Sequence, residues 1–322
     1  MAFSSEISGA AIVAGGPYYC SQGAFAAQAL WIPRALHVLL FVGTVAVALT
    51  SCTTTPSLIN VDELVLITLN TEATLTIDRT ANLRNSSVWL FSGSKDTIVA
   101  PGVMRKLEEY YGHFVDSSRI HTVYSVPAEH SWVTSGFGNA CASLGSPYIN
   151  DCNFDAAAEM LRVLIDGLAP SGRSNSSNFR TFDQRPFLAP LTPREASMAD
   201  EGWVYVPSSC ASASPERVGA AGRLPRVLGG CRLHLAFHGC EMTYDQIGVA
   251  FVTHAGLAEV AEANAIVVLF PQAVVSSTLP YNPKGCWDWW GYTTPAFASK
   301  LGVQMNAVHA MARAMLDTAA RG

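Results

Sequence analysis

Short apolar segments with the length of β-strands alternate with amphipathic helical segments along most of this sequence. The strand candidates lie in SGAAIVAGG, SSVWLFSGS, RIHTVYSVP, EGWVYVPSSC, CRLHLAFHGC and AIVVLFPQA. Helix candidates include PGVMRKLEEYYGHF, FDAAAEMLRVLIDGL, HAGLAEVAEAN and the closing VQMNAVHAMARAMLDTAA, whereas VDELVLITLN fits either structure. Strands that alternate with helices tend to pair in parallel beneath those helices. The pattern therefore predicts an α/β fold over residues 1–322: one domain with a mostly parallel sheet and helices on both faces.

Two stretches interrupt the alternation. Residues 35–50, ALHVLLFVGTVAVALT, are the most apolar of the chain, but a helix needs about 20 residues to cross a bilayer. A membrane span, a lipoprotein signal ending at LTSC, and an apolar insert at 24–50 are all open, and we favour the insert. A bond between Cys20 and Cys52 would exclude their lying on opposite faces of a membrane. Residues 169–185, rich in Ser, Asn and Arg, predict an exposed connector.

The cysteines and the charge indicate an exported protein. The eight cysteines form no C-x-x-C pair, which favours disulfides over a zinc site, although eight reduced, buried cysteines in a cytosolic protein are the alternative. The net charge of −5 gives no indication of a basic nucleic-acid surface. Because the first 16 residues lack a positively charged and apolar leader, we expect the true start of the protein to be missing.

The segment LHLAFHGC, residues 233–240, predicts a strand that runs into a His-Gly turn. In α/β-hydrolases such a turn offers backbone N–H groups to the oxyanion formed during acyl transfer. The turn is useful only beside a nucleophilic serine, which a G-x-S-x-G elbow normally presents. No G-x-S-x-G occurs in the 322 residues.

Asp96 and His130 each follow a predicted strand, and one helix and one strand lie between them. Because loops after neighbouring parallel strands meet at one edge of a sheet, these side chains could form the acid and base of a serine hydrolase. The alternative is that Asp96 only caps a helix and His130 only lies on the surface, which the sequence would show in the same way. Both residues precede the His-Gly turn, so the chain order is permuted, and the serine is expected before Asp96.

Several motifs together resemble the extracellular polyhydroxybutyrate depolymerases with a circularly permuted, single-domain α/β-hydrolase fold. They are AIVAGGPYYC, SGSKDTIVAPGVM, EHSW, SPYINDCNFD, GWVYVPSSC, LHLAFHGC, IVVLFPQA and KGCWDWWGY. The resemblance covers about residues 8–20 and 52–310. It implies that Asp96 and His130 are the triad acid and base and that the Cys240 N–H is an oxyanion donor. It places the serine elbow ahead of residue 1, so we take neither Ser4 nor Ser5 as the nucleophile.

The same resemblance implies four disulfides: Cys20–Cys52, Cys141–Cys152, Cys210–Cys231 and Cys240–Cys286. The last would tie the His-Gly turn to the CWDWW cluster. Indole rings offer flat apolar faces to a polyester chain, and we assign Trp287 and Trp289 to a substrate groove, with core packing as the alternative.

The predicted function is hydrolysis of the ester bonds of a polyhydroxyalkanoate polymer or oligomer, without a cofactor, by an exported protein. Because no nucleophile is identified, we expect the chain as given to be an inactive fragment, a pseudoenzyme or a mis-translated gene product. The alternatives are a feruloyl or acetyl esterase, a non-catalytic polyester-binding protein, and a membrane-anchored form if residues 35–50 enter lipid.

Overall fold

The structure is a computed structural model that describes residues 1–21, 45–211, 224 and 229–320. Its contacts divide the chain into two compact units. The first unit comprises Met1–Phe154 and Asp288–Met305, and the second comprises Asp155–Trp287 and Asn306–Gly322. The sequence predicts one domain; that the units act together as one hydrolase domain, in permuted order, stays a prediction.

A parallel sheet of three strands forms the centre of the first unit. The strands β1 (Gly9–Val13), β2 (Ser87–Phe91) and β3 (Ile120–Val123) lie in the order β1-β2-β3. Each corresponds to a strand predicted from the sequence. β2 is buried almost throughout because its residues Val88, Trp89, Leu90 and Phe91 are all apolar. Because β2 pairs in parallel with β3, the carboxyl ends of these two strands lie side by side.

Two helices pack in the core of the first unit. The ambiguous segment VDELVLITLN is helical, in α1 (Val61–Ala73), which the Asn60 side chain caps by accepting a hydrogen bond from the Glu63 N–H. The predicted helix after Pro101 is α2 (Pro101–Gly112), and its buried face consists of Val103, Met104, Leu107 and Tyr110. The hydroxyls of Tyr110 and Thr68 lie 2.6 Å apart and join the two helices.

A second, smaller parallel sheet follows β3 and was not predicted from the sequence. Its strands are β4 (Trp132–Thr134), β5 (Asn139–Ala140) and β6 (Ile149–Asp151), in the order β4-β6-β5. Strands of two or three residues are too short to show an alternating pattern. The Cys141–Cys152 disulfide closes the loop that carries β6.

The second unit contains a mixed sheet of four strands, β7 (Phe179–Asp183), β8 (Glu201–Tyr205), β9 (Arg232–Leu235) and β10 (Ile266–Phe270). They lie in the order β7-β8-β10-β9. Strand β10 pairs in parallel with β9 and antiparallel with β8, and β8 pairs antiparallel with β7. The predicted strands around Trp203 and Leu235 are therefore not paired with each other, because β10 lies between them. The helices of this unit are α3 (Ala156–Leu164), α4 (Pro193–Ala196), α5 (Tyr244–Ile247), α6 (Ala250–His254) and α7 (Leu257–Asn264). The closing helix α8 (Val303–Ala320) begins in the first unit.

Strand β7 corrects the prediction of an exposed connector at 169–185. Residues 169–177 are largely exposed, but Phe179–Asp183 pairs with β8 along its whole length and Phe182 is buried. The Ser- and Asn-rich composition of the segment concealed the two phenylalanines that carry this strand.

All four cysteine pairs implied by the resemblance are disulfides in the structure. The Cα atoms of Cys20 and Cys52 are 5.8 Å apart, so these residues do not lie on opposite faces of a membrane. Most of the proposed insert at 24–50 is outside the described residues, and residues 45–49 are helical. Among the helices of the described part, none has the length and apolar character needed to cross a bilayer.

Candidate active site

Asp96 and His130 lie in contact in the first unit. The loop after β2 carries Asp96, the loop after β3 carries His130, and Asp96 Oδ2 is 2.9 Å from His130 Nδ1. The Asp96 side chain is 1% exposed and the His130 side chain 30% exposed. The pair has the geometry predicted from the two parallel strands, and its catalytic role stays a prediction.

The hydrogen bonds of Asp96 define the state of the imidazole. Asp96 Oδ1 accepts hydrogen bonds from the N–H groups of Ile98 and Val99, at 2.9 and 2.7 Å, which fix the carboxylate in its loop. Because a carboxylate only accepts, His130 Nδ1 carries the hydrogen of the 2.9 Å bond. Nε2 is then the nitrogen that can take a proton from an attacking hydroxyl.

The two loops run side by side beyond the ends of β2 and β3. The Ser94 N–H donates to the Val126 carbonyl at 2.8 Å, and the Lys95 N–H donates to the Ala128 carbonyl at 3.1 Å. Gly93 makes this approach possible, because a Cβ at this position would lie 2.2 Å from the Ala128 oxygen. The backbone of one loop thus sets the position of the other.

Glu129 is a residue of this site that sequence reasoning missed. Its buried carboxylate accepts hydrogen bonds from the Thr97 N–H at 2.9 Å, from the Thr97 hydroxyl, and from the His130 N–H at 2.5 Å. Burial alone would raise the pKa of Glu129, but these hydrogen bonds outweigh burial and lower it. The only sequence signal was its position directly before His130.

The His-Gly turn lies in the second unit, and His238 determines its conformation. His238 Nδ1 lies 2.8 Å from the Gly239 carbonyl oxygen, and the Ala273 N–H donates to Nε2 at 3.1 Å. A carbonyl only accepts, so the hydrogen is on Nδ1. Burial lowers the pKa of His238 to about 4, which keeps the imidazole neutral.

This bond orients the Cys240 N–H. In a planar trans peptide the carbonyl and the next N–H point in opposite directions. Because the Gly239 carbonyl faces His238, the Cys240 N–H faces away from it. Cys240 is exposed, and no acceptor for its N–H occurs among residues that the structure describes. An N–H of this kind is available to an oxyanion.

The tryptophans of the CWDWW cluster belong to different units: Trp287 to the second, and Trp289 and Trp290 to the first. In the second unit, the Trp287 ring lies 5.4 Å from the His238 ring and meets the exposed Phe237 edge-to-face at 5.2 Å. The Cys240–Cys286 disulfide holds Trp287 beside the His-Gly turn. In the first unit, the half-buried Trp289 packs on the hydrophobic core and meets Trp290 edge-to-face.

Asp288 shapes the turn that carries Trp289 and Trp290. Its carboxylate accepts hydrogen bonds from the N–H groups of Gly291, Tyr292 and Thr293 at 2.7–2.9 Å. Burial is the main influence on this carboxyl and raises the pKa of Asp288 despite those bonds. The turn is thus folded around an internal acceptor.

The two N-terminal serines hydrogen-bond to residues other than His130. Ser5 Oγ donates to Asp78 Oδ2 at 2.5 Å, and the buried Ser4 Oγ donates to the Arg79 carbonyl at 3.4 Å. Within the described ranges, no group of three or more His, Cys, Asp or Glu side chains is placed to hold a metal ion.

Comparison with known proteins identifies the family. The chain is 35% identical over 307 residues to the poly(3-hydroxybutyrate) depolymerase of Delftia acidovorans, covering 94% of this chain and 53% of that protein. It is 32% identical over 240 residues to the polyhydroxybutyrate depolymerase of Talaromyces funiculosus, covering 71% of this chain and 65% of that protein. The chain belongs to the polyhydroxybutyrate depolymerase family. It spans about half to two thirds of the length of these relatives.

Solved structures of polyhydroxybutyrate depolymerases have a similar fold. The enzyme from Penicillium funiculosum is 26% identical and superposes with a TM-score of 0.75, over 96% of this chain and 87% of that one. A serine-to-alanine variant of a PHB depolymerase, complexed with an R3HB trimer, is 25% identical with the same TM-score and coverage. This chain therefore has an α/β-hydrolase-like fold. No protein-family model matches it.

Proposed function

We propose that this chain is a carboxylic ester hydrolase of the polyhydroxybutyrate depolymerase type, built for Ser–His–Asp acyl transfer on a polyester. The contact between Asp96 Oδ2 and His130 Nδ1, at 2.9 Å, carries the proposal. Asp96 orients His130 and stabilises its imidazolium, and His130 accepts the proton of the attacking hydroxyl. The Cys240 N–H is an oxyanion donor, and Trp287 and Trp289 bind the apolar stretches of the substrate.

The substrate class is a polymer or oligomer of 3-hydroxyalkanoate. The relatives are named for poly(3-hydroxybutyrate) and polyhydroxybutyrate, and one solved neighbour is complexed with an R3HB trimer. Four disulfides support an exported protein, because disulfides persist in oxidising compartments. The permuted order, in which the acid and base precede the His-Gly turn, is part of the proposal.

The nucleophile is the missing part of this mechanism. The 322 residues contain no G-x-S-x-G, and Ser4 and Ser5 donate elsewhere. We therefore propose that turnover by this chain is residual. Without the serine, binding and the oxyanion donor leave an acceleration of about 10³–10⁴-fold over the uncatalysed reaction.

Incubation of the purified chain with p-nitrophenyl butyrate, with and without a serine-directed phosphonate, tests this proposal. We expect slow turnover that the phosphonate does not change. Fast turnover that the phosphonate abolishes would show that the chain does contain a nucleophilic serine. Mass spectrometry of the labelled peptide would then locate that serine. Calorimetric titration with R3HB trimer tests the substrate class: we expect binding by the wild type, and no binding would contradict the assignment.

The absence of a G-x-S-x-G elbow favours one second candidate, a non-catalytic polyester-binding protein. It would bind polyhydroxybutyrate granules through Trp287 and Trp289. Granule binding that is unaffected by Asp96→Asn and His130→Gln, with no ester release above the buffer rate, would support this candidate over the hydrolase.

A further inference from the structure

The Glu129 carboxylate lies between the loops that carry the two members of the acid–base pair. Thr97 is the residue after Asp96, and Glu129 is the residue before His130. One oxygen, Oε2, accepts both the Thr97 N–H and the His130 N–H, and the other accepts the Thr97 hydroxyl. A single side chain therefore links the backbone beside Asp96 to the backbone of His130.

The backbone of Glu129 is itself held on both sides. Its N–H donates to the Cys141 carbonyl at 3.0 Å, and its carbonyl accepts the Ser131 hydroxyl at 3.1 Å. Glu129 is only 6% exposed, so water does not readily replace its carboxylate as the acceptor of the two N–H groups. A buried N–H left without an acceptor is costly, so these bonds define the conformation of both loops.

We propose that Glu129 is a positioning residue that fixes His130 against Asp96 by bracing the two loops. The inference rests on the proposed function, because it assigns Glu129 to the same acid–base pair. The bracing depends on one oxygen that accepts two N–H groups and on the bond between the other end of the side chain and the Thr97 hydroxyl, and not on the negative charge. An amide in place of the carboxylate satisfies the same partners, because the Thr97 hydroxyl both donates and accepts.

This distinction gives a matched set of variants. Glu129→Gln keeps an acceptor for both N–H groups and removes the charge, whereas Glu129→Ala removes the brace. Thr97→Val removes only the hydroxyl and keeps the Thr97 N–H. Glu109→Ala, at an exposed glutamate of α2 that pairs with Lys106, is the control.

The readout is the proton NMR resonance of His130 Nδ1–H, identified by its loss in His130→Gln. In Glu129→Ala we expect exchange of this proton with water to accelerate at least about tenfold, or the resonance to vanish, because the Asp96 bond is no longer held in place. We expect Glu129→Gln and Glu109→Ala to remain within about twofold of the wild type and Thr97→Val to be intermediate. Circular dichroism and thermal unfolding confirm that the compared proteins are folded.

A wild-type exchange rate in a folded Glu129→Ala protein would overturn the proposal. Equal acceleration in Glu129→Gln and Glu129→Ala would also overturn it, because charge rather than bracing would then be responsible. If Glu129→Ala does not fold, Thr97→Val and Glu129→Gln decide: the proposal requires faster exchange in the first and unchanged exchange in the second. This resonance reports on the role of Glu129 without turnover or ligand. Failure of the proposed function would instead appear in the assays with p-nitrophenyl butyrate and R3HB trimer, so the two failures are distinguishable.

Discussion

Substitution of Gly93 by alanine would separate the two loops that hold the acid–base pair. An alanine Cβ would lie 2.2 Å from the Ala128 carbonyl oxygen and 2.8 Å from its carbon, whereas ordinary contacts begin at 3.4 Å. The obstacle is backbone and not the end of a flexible side chain. The loops must therefore move apart by about 1 Å to accept the methyl group.

This displacement acts on three hydrogen bonds. The bonds Ser94 N–H to Val126 carbonyl and Lys95 N–H to Ala128 carbonyl, now 2.8 and 3.1 Å, would lengthen beyond a useful distance. At about 1 kcal/mol each, their loss lowers the free energy of unfolding by about 2 kcal/mol. The Asp96–His130 bond, 2.9 Å long, would also open, and a 1 Å misplacement costs about 10²-fold in a competent catalyst.

Urea unfolding and the His130 Nδ1–H resonance measure the two effects of Gly93→Ala. We expect a lower unfolding midpoint and loss of the resonance. Gly112→Ala is the matched control, because Gly112 ends α2 and a Cβ there meets nothing within 4 Å. A Gly93→Ala protein with wild-type stability and an intact resonance would refute the argument that this glycine sets the spacing of the loops.

Three further predictions concern stability and binding. Burial opposes ionisation of Asp78, but hydrogen bonds from Lys300 and Ser5 outweigh it and lower its pKa to about 2. Asp78→Asn should therefore lower the free energy of unfolding by about 2 kcal/mol near neutral pH. In urea titrations this loss should vanish as the pH falls from about 4 to 2, and the exposed control Asp166→Asn should not show such a loss. Replacing Cys141 and Cys152, which close an 11-residue separation, by serine should cost about 3 kcal/mol by the same assay, and an unchanged midpoint would contradict this. Trp287→Ala should weaken R3HB-trimer binding about tenfold by calorimetry and Trp290→Ala should not; equal losses would contradict our assignment of Trp287.

The sequence predicts the main elements of the first unit because their patterns are local. The apolar run at 88–91 and the spacing of Val103, Leu107 and Tyr110 identify β2 and α2 without tertiary information. The neighbourhood of Asp96 and His130 could also be predicted, since each follows a strand and one helix separates those strands.

The missed features depend on contacts between distant residues. The role of Glu129 depends on its contact with Thr97, which is 32 positions earlier in the chain. In the sequence alone, a glutamate beside a histidine is typical of a solvated surface. The tautomer of His238 requires the Ala273 N–H, 35 positions later. Strand β7, which pairs antiparallel with β8, was missed because it follows a polar stretch that resembles a linker.

In the proposed function, the Asp96–His130 pair belongs to the site that binds the polyester. Titration of R3HB trimer into protein with ¹⁵N-labelled histidines, followed by NMR, tests it without a need for turnover. We expect the imidazole resonances of His130 to shift as the site fills, while those of the exposed His121 do not change. Trimer binding that leaves the His130 resonances unchanged would contradict it.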